Sequence, residues 1–271
     1  MSAHQMISAE KLARMIGLPH CPSLIDIRID EDFSADPRLI PGSVRRTHAN
    51  VVEWSKDLAR EVIVICHKGL KLSEGVAALL RHEGKPATVL EGGFVRWQQM
   101  GLPLLNSAPI PPRDFNGKTL WVTRSRPKVD RIACPWLIRR FVDSSAVFLF
   151  VSASEVNGVA EKFGATPFDC TDIFWSHRGD LCTFDVMLEE FGLKITPLLH
   201  LARIVRGADT ANLALAPEAS GLLAASLGLS RMYSDDLAQL EAGLTLYDAF
   251  YRWCRDATDE THNWPNQKKP F

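Results

Sequence analysis

The segment Glu61-Val-Ile-Val-Ile-Cys66 constrains this chain more than any other. Four β-branched residues in a row, opened by a charge and closed by a cysteine, read as a buried strand. Strand and helix signals alternate around it. Ser8-Ala-Glu-Lys-Leu-Ala-Arg-Met-Ile carries a Ser cap and apolar residues at helical spacing, and Ser23-Leu-Ile-Asp-Ile-Arg28 reads as a second buried strand. Ile40-Pro-Gly-Ser-Val is a turn into a short strand, Val51 to Arg60 is helical, and Ser73 to Arg81 is helical again. Ala87-Thr-Val-Leu is a strand, Gly92-Gly93 a turn, and Phe94 to Met100 a short helix. This alternation implies an α/β fold with a parallel sheet flanked by helices.

With 271 residues, 46% of them hydrophobic, the chain exceeds what a single core usually serves, so two domains are expected. A net charge of −1 supplies no global reason for nucleic acid or an anionic membrane as partner. Met1-Ser-Ala-His-Gln-Met lacks a basic region leading into an apolar core, and no apolar run approaches the roughly 20 residues that span a bilayer. The reading is a cytoplasmic protein. Its six cysteines, Cys21, Cys66, Cys134, Cys170, Cys182 and Cys254, form no C-x-x-C pair, which argues against a zinc ribbon, a thioredoxin motif or a disulfide scaffold.

Pro103 to Lys118 holds four prolines among Asn, Ser and Gly, the composition of an extended connection. The expected division is 1–105 for the first domain, 106–117 for a Pro-rich linker, 118–258 for a mostly helical α+β domain and 259–271 for a loose tail. Charge changes here too: residues 113–140 carry eight Lys/Arg against two Asp/Glu, whereas 141–271 carry ten against eighteen. A basic segment thus enters an acidic domain.

Cys66 opens Cys66-His67-Lys68-Gly69-Leu70-Lys71, with a helix beginning near Leu72 or Ser73. Ligands bind at the carboxyl ends of strands in an open parallel sheet, and a loop entering a helix aims backbone N–H groups at whatever it encloses. That setting favours a thiolate, a ready nucleophile, with Lys68 and Lys71 adding positive charge. The alternative is a strand-end cysteine that merely packs. His67 is either a proton carrier or a solvent-facing loop residue, and Asp26 with Arg28 is read as an ion pair tying the loop to the sheet.

Residues 1 to about 105 resemble a rhodanese domain. The resemblance rests on Leu24-Ile-Asp-Ile-Arg28, Ile40-Pro-Gly-Ser-Val, the cysteine loop, and Leu90-Glu-Gly-Gly-Phe-Val-Arg-Trp-Gln-Gln-Met-Gly-Leu-Pro103. It implies a sulfurtransferase carrying a persulfide on Cys66, needing no cofactor, with a small sulfur donor and a thiol or cyanide acceptor. A six-residue loop fits the sulfur-transferring class better than dual-specificity phosphatases, whose loop is one residue longer. The departure is Lys71-Leu72, where the commonest pattern has Arg then Ser. An ammonium lacks the planar fork that grips an oxyanion through two bonds, so thiosulfate is expected to be a poor donor.

In the second half, Trp121-Val122 reads as a strand, and Pro135 as the first turn of a helix with Trp136, Leu137 and Phe141 on its buried stripe. Arg124, Arg126, Lys128 and Arg131 crowd one loop, either to hold an oxyanion or as a solvated basic face. Ala146 to Val151 is a strand. Ser176-His177-Arg178-Gly179-Asp180-Leu-Cys182-Thr183-Phe-Asp185 is a Gly turn entering a helix capped by Thr183 and closed by Gly192. His177 leads as a metal ligand or acid–base group, with Cys182 beside it and Asp130, Glu189, His200 and Asp209 as distant partners. No spacing proves that they meet. Helices follow over 193–206, 216–227 and 235–254.

Arg126 to Phe141, the His177 loop, Ala202-Arg-Ile-Val-Arg-Gly-Ala-Asp-Thr and Tyr247-Asp-Ala-Phe-Tyr resemble the C-terminal domain of the ChrB family. The resemblance covers about 118–258 and implies a link to chromate or oxyanion resistance, without naming a catalytic residue. The combined expectation is a sulfurtransferase joined to a domain that selects a substrate or senses an oxyanion or a metal. The alternative is a sensor or binding protein without sulfur turnover.

Overall fold

The computed structural model describes residues 6–58 and 61–260. The start Met1 to Gln5, the end of the expected 51–60 helix and most of the expected tail lie outside them. In the first domain five parallel strands, β1 (Met6–Ile7), β2 (Ser23–Asp26), β3 (Ser43–Arg45), β4 (Val62–Ile65) and β5 (Ala87–Leu90), are ordered β1-β5-β4-β2-β3. Between them run α1 (Ala9–Met15), α2 (Asp30–Ala35), α3 (Val51–Trp54), α4 (Lys71–His82) and α5 (Gly93–Gln99). The helix expected over 51–60 is only one turn, followed by a 3₁₀ turn over Ser55–Asp57.

Every residue of the central strand β4 is buried, and the alternation of its side chains sorts them by face. Val62 and Val64 join a cluster with Val76, Ala77 and Leu80 of α4, and Cys66 continues that row. Ile63 and Ile65 face the opposite way, into a core with Leu12, Phe94 and Trp97. Period two therefore places the Cys66 side chain beneath the start of α4.

The second domain contains β6 (Leu120–Arg124), β7 (Val147–Val151) and β8 (Thr166–Pro167), all parallel in the order β7-β6-β8. Its helices are α6 (Asp130–Leu137), α7 (Val156–Phe163), α8 (Thr183–Glu190), α9 (Thr196–Asp209), α10 (Ala219–Met232) and α11 (Asp236–Asp256). Several boundaries differ from the sequence reading: α9 runs three residues later at both ends than the expected 193–206, and α11 runs to Asp256 rather than 254. Helix α6 starts at Asp130, so Pro135 lies inside it, and the chain relaxes into a π-type turn over Ile138–Val142 just beyond. Cys182, not Thr183, caps α8, its backbone N–H reaching Asp185 three residues on. Helix α10 begins at Ala219, three residues later than expected, and continues to Met232.

The segment 103–118 forms no helix or strand. It is nevertheless fastened: Leu105 is fully buried and exchanges backbone hydrogen bonds with Leu39 (2.9 and 2.7 Å), and Asn106 N–H donates to Phe191 O (2.8 Å). Apolar residues of both halves share one core, in which Leu12, Ile16 and Trp97 cluster with Trp136, Phe141 and Tyr251. At Gly17 (φ +81°) a Cβ would lie 2.4 Å from the Phe141 ring, so only glycine permits this approach.

Candidate functional site

Cys66 stands at the carboxyl end of β4, where the chain turns through Gly69 (φ +67°) into α4. Its Sγ accepts the Gly69 N–H at 3.2 Å and lies 3.2 Å from Ser73 Oγ. The Ser73 hydroxyl also reaches Leu70 O at 3.0 Å. One O–H donates to one acceptor at a time, so the Ser73 hydroxyl divides between Leu70 O and the Cys66 sulfur. The first turn of α4 lies alongside.

The loop is held from behind by α5. Phe94 N–H donates to Cys66 O (2.9 Å) and Val95 N–H to His67 O (3.0 Å). This support passes through Gly93 (φ +59°), whose Cβ would lie 2.3 Å from Cys66 O; the sequence reading took Gly92-Gly93 only as a turn. Asp26 and Arg28 form the expected ion pair, fully buried, with Arg28 Nη2 2.6 Å and Nε 2.9 Å from Asp26 Oδ2. Arg28 also donates to the carbonyls of Asp36 and Arg38, and its guanidinium lies 3.7 Å from the centre of the Phe94 ring. The pair thus packs directly on the helix that pins the cysteine loop. Lys68, Leu70 and Lys71 are exposed, Leu72 is half-buried, and His67 Nδ1 is 3.9 Å from Asp32 Oδ1.

The second domain has its own cluster at the carboxyl edge of its sheet, the location where parallel sheets bind ligands. His177 Nε2 is 3.1 Å from Asp209 Oδ2, 3.5 Å from Asp130 Oδ2 and 3.5 Å from Asp169 Oδ1. Asp130 opens α6 after the β6 loop, Asp169 follows β8 by two residues, and Asp209 ends α9. The wholly buried Asp130 accepts the N–H groups of Thr183 (2.6 Å) and Phe184 (3.4 Å) at the start of α8, and its own N–H donates to Asp209 Oδ1 (3.4 Å). Asp169 accepts the Thr183 hydroxyl (3.0 Å), and its Oδ2 is 3.3 Å from both Arg124 and Arg131.

These contacts set the charges. Hydrogen bonds to Asp130 and Asp169 push His177 up to about 10. Burial, with the neighbouring charges of Asp130 and Asp169, pushes Asp209 up to about 7. Burial also raises Asp130. Burial opposes ionisation of Asp169, but hydrogen bonds from His177 and Thr183 and the charges of Arg131 and Arg124 hold it below the usual carboxylate range.

The basic loop therefore divides. Arg124 and Arg131 reach the cluster, Arg126 instead donates from its guanidinium to Tyr233 O (2.9 Å) and from its backbone N–H to Asp236 Oδ1 (3.1 Å) beyond α10, and Lys128 faces solvent. Cys182 is buried beside Asp130 and donates to Asp185 Oδ2 (3.2 Å); burial raises its thiol, so it stays neutral. His200 lies tilted against the Trp253 ring and Glu189 is exposed, so neither enters the cluster. Asp169 was not expected. It follows β8, a two-residue strand that the sequence reading did not include, and its left-handed backbone (φ +52°) shows only in the fold.

Both halves match known families. Residues 8–100 match the rhodanese-like domain and residues 121–254 the C-terminal domain of ChrB. The chain thus joins a rhodanese-like domain to a ChrB C-terminal domain. Protein ChrB of Cupriavidus metallidurans is 37% identical over 147 residues, covering 52% of this chain and 43% of that protein, so the match spans less than half of the relative's length. Solved structures that align with the chain include a rhodanese-related protein from Thermoplasma volcanium (24% identity, 37% of this chain, 96% of that one, TM-score 0.33). Another is a thiosulfate sulfurtransferase from Pseudomonas aeruginosa (24% identity, 37% of this chain, 19% of that one, TM-score 0.33). No helix among the described residues is long and apolar enough to cross a membrane.

Proposed function

We propose that the rhodanese-like domain is a sulfurtransferase in which Cys66 is the nucleophile. The observation that supports this most is the Cys66 sulfur at a strand end, 3.2 Å from both the Gly69 N–H and the Ser73 hydroxyl. The thiolate attacks the outer sulfur of a donor such as thiosulfate; an S–S bond forms on Cys66, the donor's S–S bond breaks, and sulfite leaves with the electron pair. An acceptor thiolate or cyanide then attacks the outer persulfide sulfur and releases the Cys66 thiolate. No cofactor enters either step. The exposed Lys68 and Lys71 draw an anionic donor to the loop mouth.

The ChrB domain supports a role for this chemistry in oxyanion resistance, chromate being the oxyanion that the family resemblance suggests. The test is Cys66→Ser, since oxygen cannot carry a persulfide. Wild-type protein exposed to thiosulfate should gain the mass of one sulfur atom and transfer it to cyanide; the variant should do neither while keeping its fold. Equal turnover by the variant would remove Cys66 from the reaction. A second reading, binding or sensing without turnover, draws on the His177 cluster, and it prevails if the wild-type protein takes up no sulfur from any donor.

A further inference from the structure

The His177 cluster lies outside the proposed sulfur chemistry and does not depend on it. A single ring nitrogen faces three carboxylate oxygens at 3.1, 3.5 and 3.5 Å, delivered by three separate segments. One imidazole N–H can serve only one of them. A cation held by His177 can serve two of them at once: donors about 2.1 Å from a common ion lie about 3.0 Å apart at right angles and about 3.4 Å apart at tetrahedral angles. The separations of His177 from Asp209 (3.1 Å) and Asp130 (3.5 Å) fall on those two edges. One donor atom each from Asp130, His177 and Asp209 lies within 4.8 Å of the others.

The surroundings are those of a held ligand set. Asp130 is fixed by the Thr183 and Phe184 N–H groups, and Asp209 by the Asp130 N–H, which leaves Asp209 Oδ2 free to face His177. Such hydrogen bonds orient ligating carboxylates. Asp169 is instead committed to Arg124, Arg131 and Thr183, so it positions and balances rather than ligates. Arg124 adjoins the cluster through Asp169, its Nη2 lying 3.3 Å from Asp169 Oδ2, while its buried Nε has no acceptor among the described residues.

We propose that Asp130, His177 and Asp209 bind one divalent first-row transition-metal ion, such as Mn²⁺, Fe²⁺ or Zn²⁺. One imidazole with two carboxylates and no thiolate is a borderline-to-hard donor set, and the Cys182 sulfur is turned to Asp185. Three protein ligands leave coordination positions open on the side where His177 is 40% exposed. The open positions lie beside Arg124, which pairs with Asp169 at the edge of the cluster.

The experiment uses the full chain, stripped with a chelator, desalted, and titrated separately with Mn²⁺, Co²⁺ and Zn²⁺ by calorimetry, with metal per chain counted after dialysis. The expected result is one ion per chain for at least one metal and, for Co²⁺, a visible d–d spectrum. His177→Ala and Asp209→Asn should weaken binding at least tenfold, whereas Asp180→Asn, exposed on the same loop, should not. Circular dichroism checks folding; the half-exposed His177 keeps the test usable if the Asp209 variant misfolds. Absence of stoichiometric binding of all three metals, or binding unchanged in His177→Ala, overturns the proposal.

Discussion

Gly69 and Gly93 stand back to back behind the Cys66 loop: a Cβ on Gly93 would sit 2.5 Å from Gly69 N, and one on Gly69 would sit 2.8 Å from Gly93 N. Both have positive φ. The cysteine loop and the start of α5 approach so closely that neither backbone accepts a side chain.

Gly93→Ala combines an unfavourable φ with a contact against the Cys66 carbonyl, which cannot move without moving the sulfur. The expected cost is about 2–3 kcal/mol, with sulfur transfer falling more than stability alone accounts for. Urea denaturation and kcat/KM measured on the folded variant check this. An unchanged midpoint would show that the loop yields at no cost.

Lys71→Arg should raise kcat/KM for thiosulfate, because a guanidinium grips two oxygens where an ammonium grips one. Lys71 is exposed at the start of α4, so the replacement has room. Rates at fixed ionic strength test it. No gain would mean that this position does not touch the donor.

Arg28→Lys should destabilise the protein by about 2–4 kcal/mol, since it gives up the forked contact to buried Asp26 and the bonds to the Asp36 and Arg38 carbonyls. It also removes the flat cation over Phe94. Thermal unfolding reads the loss, and a shift of less than 1 °C would contradict the supporting role assigned to this pair.

Acid should loosen the join between the halves. Asp143 is buried; although burial opposes its ionisation, Arg113 of the connecting segment at 2.9 Å and hydrogen bonds from Thr119 and Ser145 hold it below the ordinary carboxylate range. A carboxylate with a depressed folded-state value stabilises above its unfolded value and loses that contribution as pH falls through the folded one. Unfolding free energy should therefore drop below about pH 4, and Asp143→Asn, less stable at neutral pH, should show a shallower drop. Parallel acid profiles would exclude Asp143 as a source of the dependence.

What the sequence determined by itself is local. The β-branched run 62–65, Gly69 and the helix that follows place Cys66 at a strand end because each signal acts on its near neighbours, and Asp26 meets Arg28 because two residues of extended chain put them on one side. The same local logic found the His177 turn but misread the helix caps around it, where Cys182 rather than Thr183 takes the terminal position. Only the tertiary structure decided that Asp130, Asp169, His177 and Asp209 converge. Asp130 and Asp209 are 79 residues apart, and no period or propensity links them. They meet because β6 and β8 lie side by side in parallel, so that the loops leaving their carboxyl ends share one edge, and because α9 packs with its last residue at that edge. The connecting segment shows the same division: its prolines specify an irregular path, while the partners available to Leu105 and Asn106 decide that the path is packed rather than free.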